Sequence, residues 1–94
     1  RMKESEKEYY RTCIVIEIHF HEKEADLMEE FFPDCAVERL PDGQCRTFIY
    51  VPPGERLWKA LLLSFGDRVR VVGPEEYKED LILTAQKFLS NYDI

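Results

Sequence analysis

Alternating apolar and polar residues predict the first strand of this chain at residues 13–20. Side chains two residues apart project from the same face of a strand. The two faces would consist of Ile14, Ile16, Ile18 and Phe20 on one side and Val15, Glu17 and His19 on the other. A uniformly apolar face opposite a mixed one is typical of a sheet that helices cover on one side only.

Six further elements follow from the spacing of apolar residues. The predicted elements are helices at 24–32, 55–65 and 75–92 and strands at 35–40, 45–51 and 68–72. The order β-α-β-β-α-β followed by a helix predicts an α+β fold, a ferredoxin-like βαββαβ sandwich with an additional C-terminal helix. Both crossover helices would then cover the same face of the sheet.

Turn residues separate these elements. Pro33 ends the first helix, and the sequence PDGQ at residues 41–44 predicts a tight hairpin turn in which glycine supplies a positive φ. Gly66 is suited to a left-handed cap at the end of the second helix. Residues 1–10 are polar without an apolar period, so we expect a linker from a preceding domain there and one domain at residues 11–94.

Composition narrows the classes of partner. The net charge of −6 disfavours direct contact with DNA, because affinity for the phosphate backbone comes mainly from Lys and Arg. Three cysteines without CxxC spacing indicate neither a disulfide framework nor a zinc ribbon. The longest apolar run covers only residues 60–63, so no membrane association is predicted, and we expect a cytoplasmic protein.

The candidate catalytic and metal-binding residues have simpler explanations. His19 and His21 share a strand face, but the sequence places no third ligand near them, and we interpret them as surface histidines. The adjacent pair Glu75 and Glu76 does not face a common cleft, as acid–base catalysis would require. We therefore predict no catalytic residue, no metal site and no cofactor, and we expect that the chain is not an enzyme.

The outer face of the sheet is the strongest candidate for an interface. If Cys45, Thr47, Ile49 and Val51 point to the core, Phe48 and Tyr50 emerge on the other side with Val15 and His19, and with Arg68 and Arg70 near them. The alternative is that the last helix folds back over this face. The predicted interface residues are Val15, His19, Phe48 and Tyr50 on the sheet and Tyr77 on the last helix.

Three motifs resemble a known family. They are WKALLLSFG at residues 58–66, VRVVGPEEY at residues 69–77 and LPDG at residues 40–43. They resemble the C-terminal extension (WCX-type) domain of WYL-domain helix-turn-helix transcriptional regulators, over residues 10–92 and most closely at 58–77. The resemblance implies a bacterial regulator in which a helix-turn-helix domain and a WYL domain precede this extension in the same chain.

The function implied by the resemblance is dimerisation or regulation of an upstream DNA-binding head. We expect a homodimer that contacts DNA only through the N-terminal part of the parent protein, with a small-molecule effector as a further partner. The alternative is a stand-alone ferredoxin-like sensor domain that binds a small molecule in a cleft near Gly54 and Gly73. An acylphosphatase-like hydrolase is disfavoured, because no glycine-rich loop follows the first strand.

Overall fold

The computed structural model describes residues 12–92 of the chain. Within them a four-stranded sheet is combined with three α-helices, so the predicted α+β class is confirmed. The elements in chain order are β1 (Ile14–His21), α1 (Ala25–Phe31), β2 (Glu38–Arg39), β3 (Gln44–Val51), α2 (Leu57–Leu63), β4 (Val69–Gly73) and α3 (Glu75–Ser90). The linker predicted at residues 1–10 lies outside the described residues.

The strands pair in the order β2-β3-β1-β4, and every pair is antiparallel. The two central strands, β1 and β3, pair over their full length from Ile14 opposite Val51 to His21 opposite Gln44. Long central pairing places the largest number of inward side chains in one layer. None of the helices in the described residues combines the length and apolarity that crossing a bilayer requires.

A single cluster of buried side chains forms the core. It contains the inward residues of β1 and β3 together with Met28 of α1, Trp58 and Leu62 of α2, Phe65, and Val71 of β4. Phe31 contacts Phe65 edge to face, with ring centroids 5.4 Å apart, and this contact connects the end of α1 to the end of α2. Both crossover helices therefore pack against the same face of the sheet.

The predicted hairpin is confirmed, although β2 is much shorter than the predicted residues 35–40. In the hairpin turn, Asp42 and Gly43 adopt positive φ angles of 65° and 73°, as tight two-residue hairpin turns require. Before β2, the carbonyl of Ala36 accepts a hydrogen bond from the Thr47 hydroxyl at 2.8 Å. A backbone group bound to a side chain is not available for strand pairing, which limits β2 to Glu38 and Arg39.

The ends of α2 differ slightly from the predicted 55–65. The Glu55 carboxylate accepts a hydrogen bond from the backbone N–H of Leu57 at 2.8 Å, so Glu55 lies before the helix and satisfies one of its first donors. The helix ends at Leu63, and Gly66 follows with a φ of 66°, the left-handed conformation predicted for it.

The first half of α3 packs on the body of the domain, and its second half does not. Tyr77 contacts the Trp58 ring edge to face at 6.3 Å, and Lys59 of α2 pairs with Asp80 at 3.1 Å. Beyond Ala85 every described residue of α3 is exposed, including Phe88, Leu89 and, just after the helix, Tyr92. The helix thus begins beside α2 and extends past it.

The three free thiols differ in burial. Cys45 is fully buried on the core side of β3, whereas Cys13 and Cys35 are half-buried before β1 and after α1. None of the three forms a disulfide. Cys45 therefore behaves as a small apolar core residue, as its strand position predicts.

Candidate interface on the outer face of the sheet

Three of the predicted interface residues form one apolar patch on the outer face of the sheet. Val15 lies opposite Tyr50 in the β1–β3 register, and Phe48 projects from the same face two residues before Tyr50. Their exposed fractions are 41% for Val15, 40% for Phe48 and 47% for Tyr50. Side chains of this size left exposed on a common face are typical of a contact surface. We call Val15, Phe48 and Tyr50 the apolar patch.

A network of charged side chains adjoins the apolar patch. Arg46 donates from Nε and Nη2 to Glu38 Oε1 at 3.1 and 2.7 Å, and its Nη1 lies 3.9 Å from Glu17 Oε2. His19 Nε2 shares the same Glu17 oxygen at 2.8 Å. The strand register brings these groups together, because Arg46 is opposite both His19 and Glu38. His19 is therefore in the predicted surface but belongs to its charged part.

Arg46 connects the two parts of this surface. Its guanidinium lies 5.8 Å from the centroid of the Phe48 ring, a distance at which a cation is attracted to an aromatic face. The hydrogen bond and the negative charge of Glu38 raise the pKa of Arg46 above its ordinary value. Arg46 consequently stays charged at every pH at which a protein of this kind is handled.

Tyr77 does not belong to this surface. Its ring packs on Trp58, a core residue, and it lines a groove with Ile14 and Val51 on the helix-covered side of the sheet. The exposed apolar residues of α3 lie further along the helix. They are Ile82, Leu83, Phe88 and Leu89, with Tyr92 following the helix.

The last helix does not cover the outer face. Its first half packs beside α2 through Tyr77 and Asp80, and the apolar patch stays exposed among the described residues. The sequence left open whether the last helix covers the outer face. In the described residues it does not, and the outer face is open. Arg70 joins that face opposite His19. Arg68 does not, because it lies in the turn before β4, where it pairs with Glu24 at 3.3 Å.

The histidines and glycines singled out from the sequence do not form a site together. His21 Nδ1 accepts a hydrogen bond from the backbone N–H of Lys23 at 3.1 Å. Among residues 12–92, no three His, Cys, Asp or Glu side chains are grouped as a metal site would require. Gly54 lines a groove of about 210 Å³ beside Trp58 and Tyr77, whereas Gly73 lies in β4 opposite Glu17 and does not line that groove.

Sequence reasoning missed Arg46 and Glu38 as members of the surface. Their positions on alternate strand residues could have placed them on the outer face, but which acid meets which base depends on the register between strands.

The sequence of this chain matches a described protein family. A protein-family model described as the WCX domain matches residues 14–89, from the first strand to the end of α3. No curated protein matches the chain.

Proposed function

The chain belongs to the WCX domain family, and on that premise we propose that it is the C-terminal assembly domain of a bacterial WYL-type transcriptional regulator. It pairs with a second copy of itself and so sets the separation of two upstream DNA-binding heads. The observation that carries this proposal is the exposed apolar patch of Val15, Phe48 and Tyr50. The ferredoxin-like arrangement is part of the proposal, supported by the strand order β2-β3-β1-β4 and the helical connections after β1 and β3.

The charges beside the patch favour a second copy as the partner. The outer face carries two acids, Glu17 and Glu38, and two bases, Arg46 and Arg70. A two-fold axis through the face brings the same surface of each copy together, so a surface with both signs can match acid to base across the axis. A partner of one sign, such as a nucleic acid, would meet two of these groups with the wrong charge.

The partial pairing already present within each copy is compatible with this contact. Arg46 is held by Glu38 and Glu17, so it enters an interface with its charge compensated. Burying a charge without a partner would oppose association, whereas a paired guanidinium stacked on an aromatic ring is common in the centres of interfaces.

The test is the solution mass of the chain and of a variant with Phe48→Glu and Tyr50→Glu. The unaltered chain should sediment as a dimer, and the double variant as a monomer, because two carboxylates would be forced into the apolar part of the contact. Leu63→Glu is the matched control, since Leu63 is 41% exposed on α2, which packs on the inward face of the sheet, and its variant should stay dimeric. Circular dichroism confirms that each variant is folded.

Two outcomes would refute the proposal. A double variant with the mass of the unaltered dimer would show that the sheet face does not pair. An unaltered chain that stays monomeric up to the highest soluble concentration would show that this domain does not assemble by itself. Loss of the dimer in both the double variant and Leu63→Glu would indicate a contact through α2 instead.

A further inference from the structure

An open cavity of about 530 Å³ lies at the end of the sheet where β1 ends and β4 begins. It is separate from the groove at Gly54 and from the apolar patch, since neither Phe48 nor Tyr50 lines it. Its size falls within the range of roughly 300–1,000 Å³ that is usual for small-molecule sites. The residues that carry the argument are His21, Lys23, Asp67, Arg68 and Arg70, with Phe20 at the base.

Hydrogen-bond donors dominate the cavity. Arg70 contributes a guanidinium and Lys23 an ammonium group, and both are donors only. The Nδ1 atom of His21 is occupied as the acceptor for the backbone N–H of Lys23, at 3.1 Å. A neutral imidazole that accepts at Nδ1 carries its proton at Nε2, so His21 offers an N–H donor as well. All three side chains line the cavity, and each of them offers at least one N–H donor.

The charge of the cavity is positive although the chain is acidic. Arg68 and Glu24, both at the cavity, form an ion pair at 3.3 Å and compensate each other. The structure of residues 12–92 shows no ion pair for Lys23 or Arg70, and Asp67 is the one further acid in the lining. Two uncompensated cations against one carboxylate leave a local positive charge on a chain of net charge −6.

The base of the cavity is apolar. Phe20 is almost fully buried beneath it, and Val69, opposite Phe20 in the β1–β4 register, is half-buried. An apolar base beside a few convergent donors is the usual composition of a site for a small organic ligand. The donors would hold the charged group of such a ligand, and the base would contact its carbon skeleton.

We propose that this cavity binds a small metabolite that carries a phosphate or carboxylate group. Arg70 and Lys23 hold the oxyanion, and the Nε2–H of His21 donates a further hydrogen bond to it. Arginine is suited to this role because its planar fork matches two oxygens of a phosphate or carboxylate at once. The net charge of −6 opposes a long polyanion such as a nucleic acid strand, whereas a small anion meets only the local donors. Arg70 also lies on the outer face opposite His19, so ligand binding is measured at a concentration at which the chain is monomeric.

The experiment is a titration of the isotopically labelled chain with inorganic phosphate, and separately with citrate, at constant ionic strength. Saturable chemical-shift changes are expected at the backbone amides of His21, Lys23 and Arg70 and not at those of Phe48 or Tyr50. Arg70→Gln should weaken phosphate binding by about tenfold, since a hydrogen bond between charged groups is lost. Arg70→Lys keeps the charge but loses the planar fork of the guanidinium. Its phosphate affinity should lie between those of the unaltered chain and Arg70→Gln.

Lys87→Gln is the matched control, because Lys87 is an exposed base on α3 and its loss changes the net charge by the same amount. It should leave the phosphate affinity unchanged. Equal weakening in Lys87→Gln and Arg70→Gln, or the absence of saturation at millimolar phosphate and citrate, would refute the cavity as an oxyanion site. Tighter binding of a single-stranded oligonucleotide than of either small anion at the same amides would refute a small ligand. The dimer mass is measured separately, so failure of this site leaves the assembly proposal testable.

Discussion

Along β1 and β3, alternate residues lie on opposite faces of the sheet and differ in burial. The inward residues of the two strands are almost fully buried, whereas Val15, Phe48 and Tyr50, one position away along the same strands, are exposed. The inward residues are nearly all apolar, with Thr47 as the exception, and the outward residues combine aromatic rings with charges. One pair of strands therefore supplies both the core and the candidate interface.

The contrast between the two faces shows how the free energy of folding is distributed in so small a domain. Each fully buried apolar side chain contributes about 1.5–3 kcal/mol to folding, and the inward face has most of these. The residues of the apolar patch stay 40–47% exposed, so their exposed part contributes nothing to the folding of one copy and is the surface that the proposed dimer would cover. Changes on the two faces should consequently affect different measurements.

The largest effect is expected from Phe20→Ala on the inward face. Removing this ring leaves a cavity between the sheet and the helices, and the free energy of unfolding should fall by about 3–5 kcal/mol. Urea denaturation, monitored at a concentration where the chain is monomeric, measures it. A loss below about 1 kcal/mol would contradict the central position of Phe20 in the core.

An intermediate effect is expected from Thr47→Val, the one polar position of the inward face. The Thr47 hydroxyl donates to the Ala36 carbonyl at 2.8 Å, and valine leaves that carbonyl without its partner. The free energy of unfolding should fall by about 1 kcal/mol. Ser90→Ala is the control, because the exposed Ser90 hydroxyl donates within its own helix, to the Lys87 carbonyl at 2.7 Å, and its effect should be clearly smaller. Equal losses would mean that the bond to Ala36 contributes nothing.

The smallest effect on stability is expected from Phe48→Ala on the outer face. The ring loses its contact with Arg46, but Phe48 is 40% exposed and lies outside the core, so the unfolding free energy of the monomer should change by about 0.5 kcal/mol. The dimer should weaken much more than the monomer, as sedimentation at a series of concentrations would show. A large loss of monomer stability with unchanged dimerisation would reverse the roles assigned to the two faces.

The faces of the central strands were predictable, whereas contacts between distant elements were not. Strand alternation has a period of two, so Ile16 and Phe48 could be assigned to opposite faces from the sequence alone. Pairing of Arg46 with Glu38 and Glu17 depends on strand register, which residue types do not specify. Tyr77 was assigned to the interface for its place on an amphipathic helix, and only the packing of α3 against Trp58 shows which side it occupies.

The length of β2 was missed for a similar reason. Residues 35–40 have the composition of a strand, but the Thr47 hydroxyl takes the carbonyl of Ala36, and this side chain is eleven residues away. A competing hydrogen bond of that kind has no local signal in the sequence. The turn at Asp42 and Gly43, in contrast, is specified by two adjacent residues that accept positive φ, and it was predicted correctly.

Because Cys45 is buried, chemical labelling of its thiol can measure how often the domain opens. Cys45 is fully buried on the inward side of β3, between Phe20 of β1 and Arg39 of β2, so an alkylating reagent reaches its thiol only while the sheet is open. When reclosing is faster than alkylation, the rate of labelling at Cys45 reports the equilibrium population of the open form. The rate of labelling at the half-buried thiol of Cys35 reports smaller movements of the segment that follows α1. The rate of labelling at Cys45 therefore allows the effects of dimerisation, ligand binding and core substitutions on the opening of the domain to be compared directly.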